Sequence, residues 1–206
     1  MLQTSTVETH TLVLLKKLQE SSLLSQMRLV GGTALALQLG HRFSIDLDFF
    51  GTMEATTTEI INEFCSPDFN IVVKQDTKSI KVLYINNIKV DIVNYPYKWL
   101  EPAIETDGVR MAGLKDIAAM KLSAITNRGT KKDFVDLYFL LQHYSLMQMI
   151  TFYEQKYPNH SSFMVLRSLA YFEDAEEQPL PKIYSKLDWE TIKIFIQKEV
   201  RNYDAK

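Results

Sequence analysis

Two short stretches constrain this chain more than anything else in it. They are Val30-Gly31-Gly32-Thr33-Ala34 and, one short helix's worth of residues later, Ser44-Ile45-Asp46-Leu47-Asp48-Phe49-Phe50. The alternation of Ile45, Leu47 and Phe49 with Ser44, Asp46 and Asp48 predicts a β-strand with one apolar and one acidic face. Successive strand side chains point to opposite sides, so both aspartates project the same way, about 7 Å apart at the backbone. Carboxylates that close repel each other and gain nothing in an apolar core, whereas a divalent cation between them makes them a ligand pair. The glycine pair suits a tight turn from strand into helix, where bare backbone N–H groups can meet a phosphate. Together the two stretches predict phosphate and metal chemistry on one small scaffold.

At 206 residues the chain makes one large domain or two small ones, each with a real core. Its ordinary apolar and charged fractions exclude disordered and fibrous classes. A net charge of −2 argues against capture of nucleic acid by bulk positive charge, though not against a local basic patch. The lone cysteine, Cys65, has no internal disulfide partner and fits a reducing compartment. No apolar run is long enough to span a bilayer. The polar start (Gln3, Thr4, Ser5, Thr6, Glu8) lacks the layout of a signal peptide. The expectation is a soluble cytoplasmic protein with no membrane contact.

Helical spacing of Thr11, Leu14, Leu15 and Leu18 predicts a first amphipathic helix over residues 5–20. Arg28-Leu29-Val30 reads as a strand, 33–39 as a helix after the glycine turn, and 56–64 as a helix halted before Pro67. Strands follow over 71–74, 79–85 and 88–93, the last two joined by Asn86-Asn87, a good hairpin turn. From Gly113 the pattern turns helical: 113–127, 132–143, 147–157 and 162–172. After Pro179 and Pro181 comes a final helix, capped by Asp188 and reaching about Arg201. The predicted class is α+β, an α/β core with a mixed sheet over residues 1–105 and an all-helical domain over 106–206 that completes the site. The aromatic residues of the second half, Phe163 and Tyr171 among them, read as helical core.

Asp46 and Asp48 head the candidate residues, against the plain alternative of an acidic solvent-facing strand. Asp91, in Lys89-Val90-Asp91-Ile92-Val93, becomes a third carboxylate of the cluster if its strand pairs beside theirs, and otherwise faces solvent at an edge. Three acids around two divalent ions about 4 Å apart would activate an attacking oxygen and stabilise a pyrophosphate leaving group. Lys121 and Arg128 share a helix face, and small Ala118 and Ala124 flank the lysine, so a triphosphate can approach it. Asp133 suits a helix start whatever the function. Asp136, one turn on, has a base, a ribose or Lys121 as possible partners. His41 and Arg42 touch phosphate or line a loop, and His143 and His160 lack zinc-ligand spacing.

These motifs resemble the nucleotidyltransferase toxins of the abortive-infection AbiEii/AbiGii type, within the DNA polymerase β-like nucleotidyltransferase superfamily. The resemblance rests on Gly31-Gly32-Thr33-Ala34-Leu35-Ala36-Leu37 and on His41-Arg42-x-Ser44-x-Asp46-Leu47-Asp48-Phe49-Phe50. It also rests on Lys121-Leu122-x-Ala124 with Arg128, on Lys132-Asp133-Phe134-x-Asp136-Leu137, and on Ser168-Leu169-x-Tyr171-Phe172-x-Asp174-Ala175-Glu176. It spans roughly residues 28–180. It implies a polymerase β-like core and transfer of a nucleoside monophosphate from an NTP to an acceptor, a tRNA in some relatives, by a toxin encoded beside an antitoxin. Carried over, Asp46, Asp48 and Asp91 bind metal and act in catalysis, with Mg²⁺ expected and Mn²⁺ the alternative. Lys121 contacts phosphate and Asp136 completes the nucleotide site. Gly31, Gly32, Thr33, Arg42, Ser44, Arg128 and Asp133 join in holding the NTP. The superfamily usually has serine where Thr33 stands; the hydroxyl is kept. Rival readings are a small-molecule or protein acceptor, or a nucleotide-binding protein without turnover.

Overall fold

The computed structural model describes residues 1–64 and 66–204, so Cys65 lies outside the described residues. The chain divides into two compact units. Residues 1–40, 44–96 and 103–112 form the first, and residues 41–43, 97–102 and 113–206 the second.

The first unit is built on a sheet. Its strands are β1 (Met27–Val30), β2 (Leu47–Gly51), β3 (Ile71–Asp76), β4 (Ile80–Ile85), β5 (Ile88–Asn94), β6 (Ile104–Thr106) and β7 (Val109–Met111). Their spatial order is β3-β4-β5-β2-β1-β7-β6. Central β2 runs antiparallel to β1 and parallel to β5, and β1 is parallel to β7, so the sheet is mixed. Helices α1 (Thr9–Glu20), α2 (Gly31–Leu39) and α3 (Thr57–Glu63) complete the unit. The period of two is plain at its centre: Leu29, Leu47, Phe49, Val90 and Ile92 are fully buried. Asp48, Phe50, Lys89 and Asp91 alternate with them on the other face and are only half-buried.

Local chemistry explains the turns. Asn86 and Asn87 adopt φ of 50° and 66°, the left-handed pair that a two-residue hairpin requires. A second hairpin, β6–β7, goes beyond the strands read from the sequence; Asp107 and Gly108 make its turn with φ of 52° and 79°. Its strands are three residues long, too short to show an alternation. A division near residue 105 falls inside this hairpin, both of whose strands belong to the first unit. Helix α3 is set by a reciprocal cap in which the Thr56 backbone N–H donates to Glu59 (2.7 Å) and the Glu59 N–H to the Thr56 hydroxyl (3.2 Å).

The acidic strand is shorter than its alternation predicts. β2 begins at Leu47, Asp46 precedes it, and Ile45 is 55% exposed rather than part of an apolar face. The Ser44 N–H donates to the Thr6 carbonyl (2.9 Å), and the Thr33 hydroxyl meets Ser44 Oγ (2.9 Å) and the Asp46 carbonyl. These bonds hold residues 44–46 out of the ladder.

The second unit holds α4 (Leu114–Asn127), α5 (Lys131–Leu140), α6 (Leu146–Lys156), α7 (Ser162–Leu169), α8 (Glu173–Glu176) and α9 (Trp189–Asp204). Phe134 packs at ring-centroid distances of 4.8 Å from Phe172 and 5.9 Å from Trp189. Phe163 and Tyr171, expected in the core, are exposed instead. Val165 and Leu169, four apart, take the buried face of α7, which puts Phe163 on the opposite one, and Tyr171 lies past the helix end. The N–H of Thr191 donates to Asp188 Oδ1 (2.7 Å), the cap the sequence predicts for the last helix.

A buried ion pair pins residues 97–102 within this unit. Lys156 Nζ donates to Asp116 (2.6 Å) and to the Lys98 carbonyl (3.1 Å), and lies 4.5 Å from the Trp99 ring centroid. Asp116 also accepts the N–H groups of Leu100 and Glu101. Both charges are desolvated, so deleting either one strands its partner at a cost of about 3–5 kcal/mol. No described helix is long and apolar enough to cross a membrane.

Candidate active site

The parallel pairing of β2 with β5 sets Leu47 beside Val90 and Asp48 beside Asp91. The two carboxylates are thus cross-strand neighbours on one face, on backbones about 4.8 Å apart. Asp46 lies just ahead of β2, outside the paired register, and its field also reaches Lys89. Like charges side by side destabilise a sheet unless a cation is shared between them. Lys89 supplies one here: its Nζ donates to Asp91 Oδ2. Burial works against the Lys89 charge, but the bond to Asp91 and the fields of Asp91, Asp48 and Asp46 outweigh it and raise its pKa above the usual lysine value.

Gly31 serves this face directly. Its φ of +68° swings the chain from β1 straight into α2, and a Cβ there would overlap the Asp48 carboxylate deep inside van der Waals contact. Gly31, Gly32 and Thr33 form the first turn of α2, where backbone N–H groups lack intrahelical partners. The Thr33 side chain is buried and its hydroxyl is engaged by Ser44 and Asp46 within the fold.

Two observations bear on whether a divalent cation suits the acidic face. The donors are carboxylate oxygens, the preference of hard cations. Asp91 Oδ1 is buried without a hydrogen-bond partner, a costly state for an anionic oxygen that coordination would relieve. Among the described residues no three Asp, Glu, His or Cys side chains already converge as a cage, and Lys89 holds the second Asp91 oxygen. The donor chemistry fits the ion.

The second unit gathers a different set. Asp136, fully buried, accepts Arg42 Nε (2.6 Å), Arg42 Nη2 (2.9 Å), His41 Nε2 (2.8 Å) and Lys121 Nζ (2.7 Å). Of the partners considered for Asp136, the structure shows Lys121. The lysine also donates to Asp133 Oδ1 (3.0 Å), so its ammonium is committed to two carboxylates rather than left open to a phosphate. Asp133 further accepts Arg128 Nε (3.0 Å) and, through Oδ2, the Thr130 N–H (3.3 Å) that caps α5. Burial alone would push the Asp136 carboxyl up, but Arg42 and Lys121, with hydrogen bonds from His41 and Arg42, hold it well below the usual carboxylate range. Burial likewise opposes the Asp133 charge, and Lys121 and Arg128 reverse that and depress its pKa. At His41 burial outweighs the pull of Asp136 and lowers the pKa, which favours a neutral ring whose Nε2–H donates.

Of the candidates, Gly31, Gly32, Thr33, Ser44, Asp46, Asp48 and Asp91 lie in the first unit, and Arg42, Lys121, Arg128, Asp133 and Asp136 in the second. Lys89 was missed, although period-two spacing already placed it on the face of Asp91. The Asp116–Lys156 pair left no comparable trace, because its members are 40 residues apart.

Comparison with known proteins agrees with this architecture. The model of a family described as nucleotidyl transferase AbiEii toxin, type IV toxin–antitoxin system, matches residues 13–205. The uncharacterised protein aq_aa25 of Aquifex aeolicus is 34% identical over 196 residues, covering 92% of this chain and 93% of its own. Among solved structures, JHP933 from Helicobacter pylori aligns with a TM-score of 0.59 at 20% identity, over 97% of this chain and 95% of its own. MenT4, a nucleotidyltransferase toxin from Mycobacterium tuberculosis, aligns with a TM-score of 0.57 at 14% identity, over 91% and 79%. At such identities the structures speak for the fold, while the family match spans nearly the whole chain. The chain belongs to the AbiEii family of nucleotidyl transferase toxins of type IV toxin–antitoxin systems, and it is a nucleotidyltransferase.

Proposed function

We propose that this nucleotidyltransferase moves a nucleoside monophosphate from an NTP to the hydroxyl of an RNA acceptor, a tRNA, with Asp46, Asp48 and Asp91 holding divalent metal, Mg²⁺ by default. The observation that carries the reading is the register of Asp48 with Asp91 on one sheet face, with an unpartnered buried oxygen on Asp91. The bond between the α-phosphorus and its bridging oxygen breaks, pyrophosphate leaves, and the acceptor oxygen takes its place. Metal bound there would supply Lewis acidity to the phosphate and the attacking hydroxyl. Asp48, held close against Gly31, fixes one ligand position, and the Asp91 carboxylate takes up the hydroxyl hydrogen as the oxygen attacks. The first turn of α2 offers backbone N–H groups to phosphate, and Thr33 holds the residue 44–46 segment that carries Asp46. The match to a toxin–antitoxin family supports a cognate antitoxin as a partner, and the RNA acceptor is part of this proposal.

The formal charge of −2 favours a second reading in which the acceptor is a small molecule or a protein. One assay tests both. Each radiolabelled NTP is incubated with Mg²⁺ and total bacterial RNA, beside an Asp46→Ala/Asp48→Ala double variant. Label in a tRNA-sized band from the wild type alone supports the first reading. Pyrophosphate release only when protein-containing or small-molecule fractions are added supports the second. Transfer that survives in the double variant overturns the metal assignment.

A further inference from the structure

We propose that Lys89 is a built-in counter-ion that occupies the cation position of the Asp46–Asp48–Asp91 face until a divalent metal displaces it. The inference rests on the reading of those carboxylates as metal ligands. Lys89 and Asp91 are two residues apart on β5, so both project from one face of the sheet, and the ammonium donates to Asp91 Oδ2. Asp91 is paired with Asp48 across the strands, and the fields of Asp91, Asp48 and Asp46 all act on the Lys89 ammonium. The lysine side chain is one-third exposed, which leaves it a path to solvent when it is driven off.

The contact is also incomplete in an informative way. Lys89 satisfies one oxygen of Asp91 and leaves the other, buried Oδ1, without a partner. An arginine would grip both oxygens as a planar fork, whereas an ammonium on a flexible stem is a point charge that lets go without breaking a bidentate pair. Lysine at this position stabilises the metal-free face against its own repulsion yet leaves a ligand atom ready. The cost falls on metal affinity, because each binding event must first remove Lys89.

The test measures Mn²⁺ binding by electron paramagnetic resonance, and thermal melting with and without Mn²⁺, on the full chain. Lys89→Met is expected to bind Mn²⁺ about tenfold more tightly than wild type, the scale of one charge-assisted hydrogen bond no longer given up. Its metal-free melting temperature should fall below that of wild type, and Mn²⁺ should raise it by more. Lys89→Arg, which keeps the competing charge, should bind Mn²⁺ no tighter than wild type and serves where the methionine variant folds poorly. Equal affinity in Lys89→Met and wild type, or tighter binding by Lys89→Arg, would overturn the proposal while leaving the metal reading intact. No Mn²⁺ binding in any form, or binding unchanged in Asp48→Ala, would overturn the metal reading and this inference with it.

Discussion

The two units gather the same ingredients, aspartates with lysine and arginine, and put them to opposite uses. In the second unit Asp133 and Asp136 are fully buried and amply supplied with donors: Lys121, Arg42, Arg128, His41 and a capped helix start. In the first, Asp48 and Asp91 are half-buried, Asp91 Oδ1 has no donor, and Lys89 sits among carboxylates that outnumber it. A satisfied network rigidifies the backbone that carries it, whereas the partnerless Asp91 Oδ1 is an oxygen that a cation would relieve. The lesson is that counting charged side chains says little about function.

Removing carboxylates from each region is the sharpest way to break this comparison. Asp48→Ala should lower nucleotidyl transfer by about 10⁴-fold in the radiolabelling assay while leaving the urea midpoint unchanged or higher, because a like charge has gone. Asp136→Ala should cost about 3–5 kcal/mol by urea denaturation, because buried Arg42 loses the carboxylate it pairs with and Lys121 one of its two. A midpoint drop in Asp48→Ala as large as that in Asp136→Ala would erase the distinction.

Acid sharpens the same contrast. The folded pKa values of Asp133 and Asp136 lie below the ordinary carboxylate value, so their stabilisation is fully present above about pH 4 and drains away as the pH falls toward the folded values. Urea midpoints followed from about pH 6 to pH 2 should fall steeply in wild type and less steeply in Asp136→Asn. Gly31→Ala should follow, at about 1–2 kcal/mol of backbone strain, with a loss of activity out of proportion because Asp48 must shift. The smallest effect is expected at Thr56→Ala, about 1 kcal/mol from the lost helix cap with transfer unchanged.

The local rules were legible wherever one short stretch decided the outcome. The glycine turn into α2, the Asn86-Asn87 hairpin and the Asp188 cap each depend on a few adjacent residues and could be read directly. Phe163 and Tyr171 misled because aromatic content says that a core exists, not which side of a helix faces it. The strand start at Leu47 was hidden by bonds from Thr6 and Thr33, which are distant in sequence.

By itself the sequence determined the type of the longer elements, the acidic residues and the family, because periodicity, turn chemistry and motif order are written along the chain. Tertiary structure alone decided that Asp91 neighbours Asp48, that Lys89 meets Asp91, and that Lys121 serves Asp133 and Asp136. Those facts depend on strand register and on contacts between residues far apart in the chain. The sequence lists the charges; only folding in three dimensions sets which carboxylate meets which ammonium and which oxygen is left without a partner.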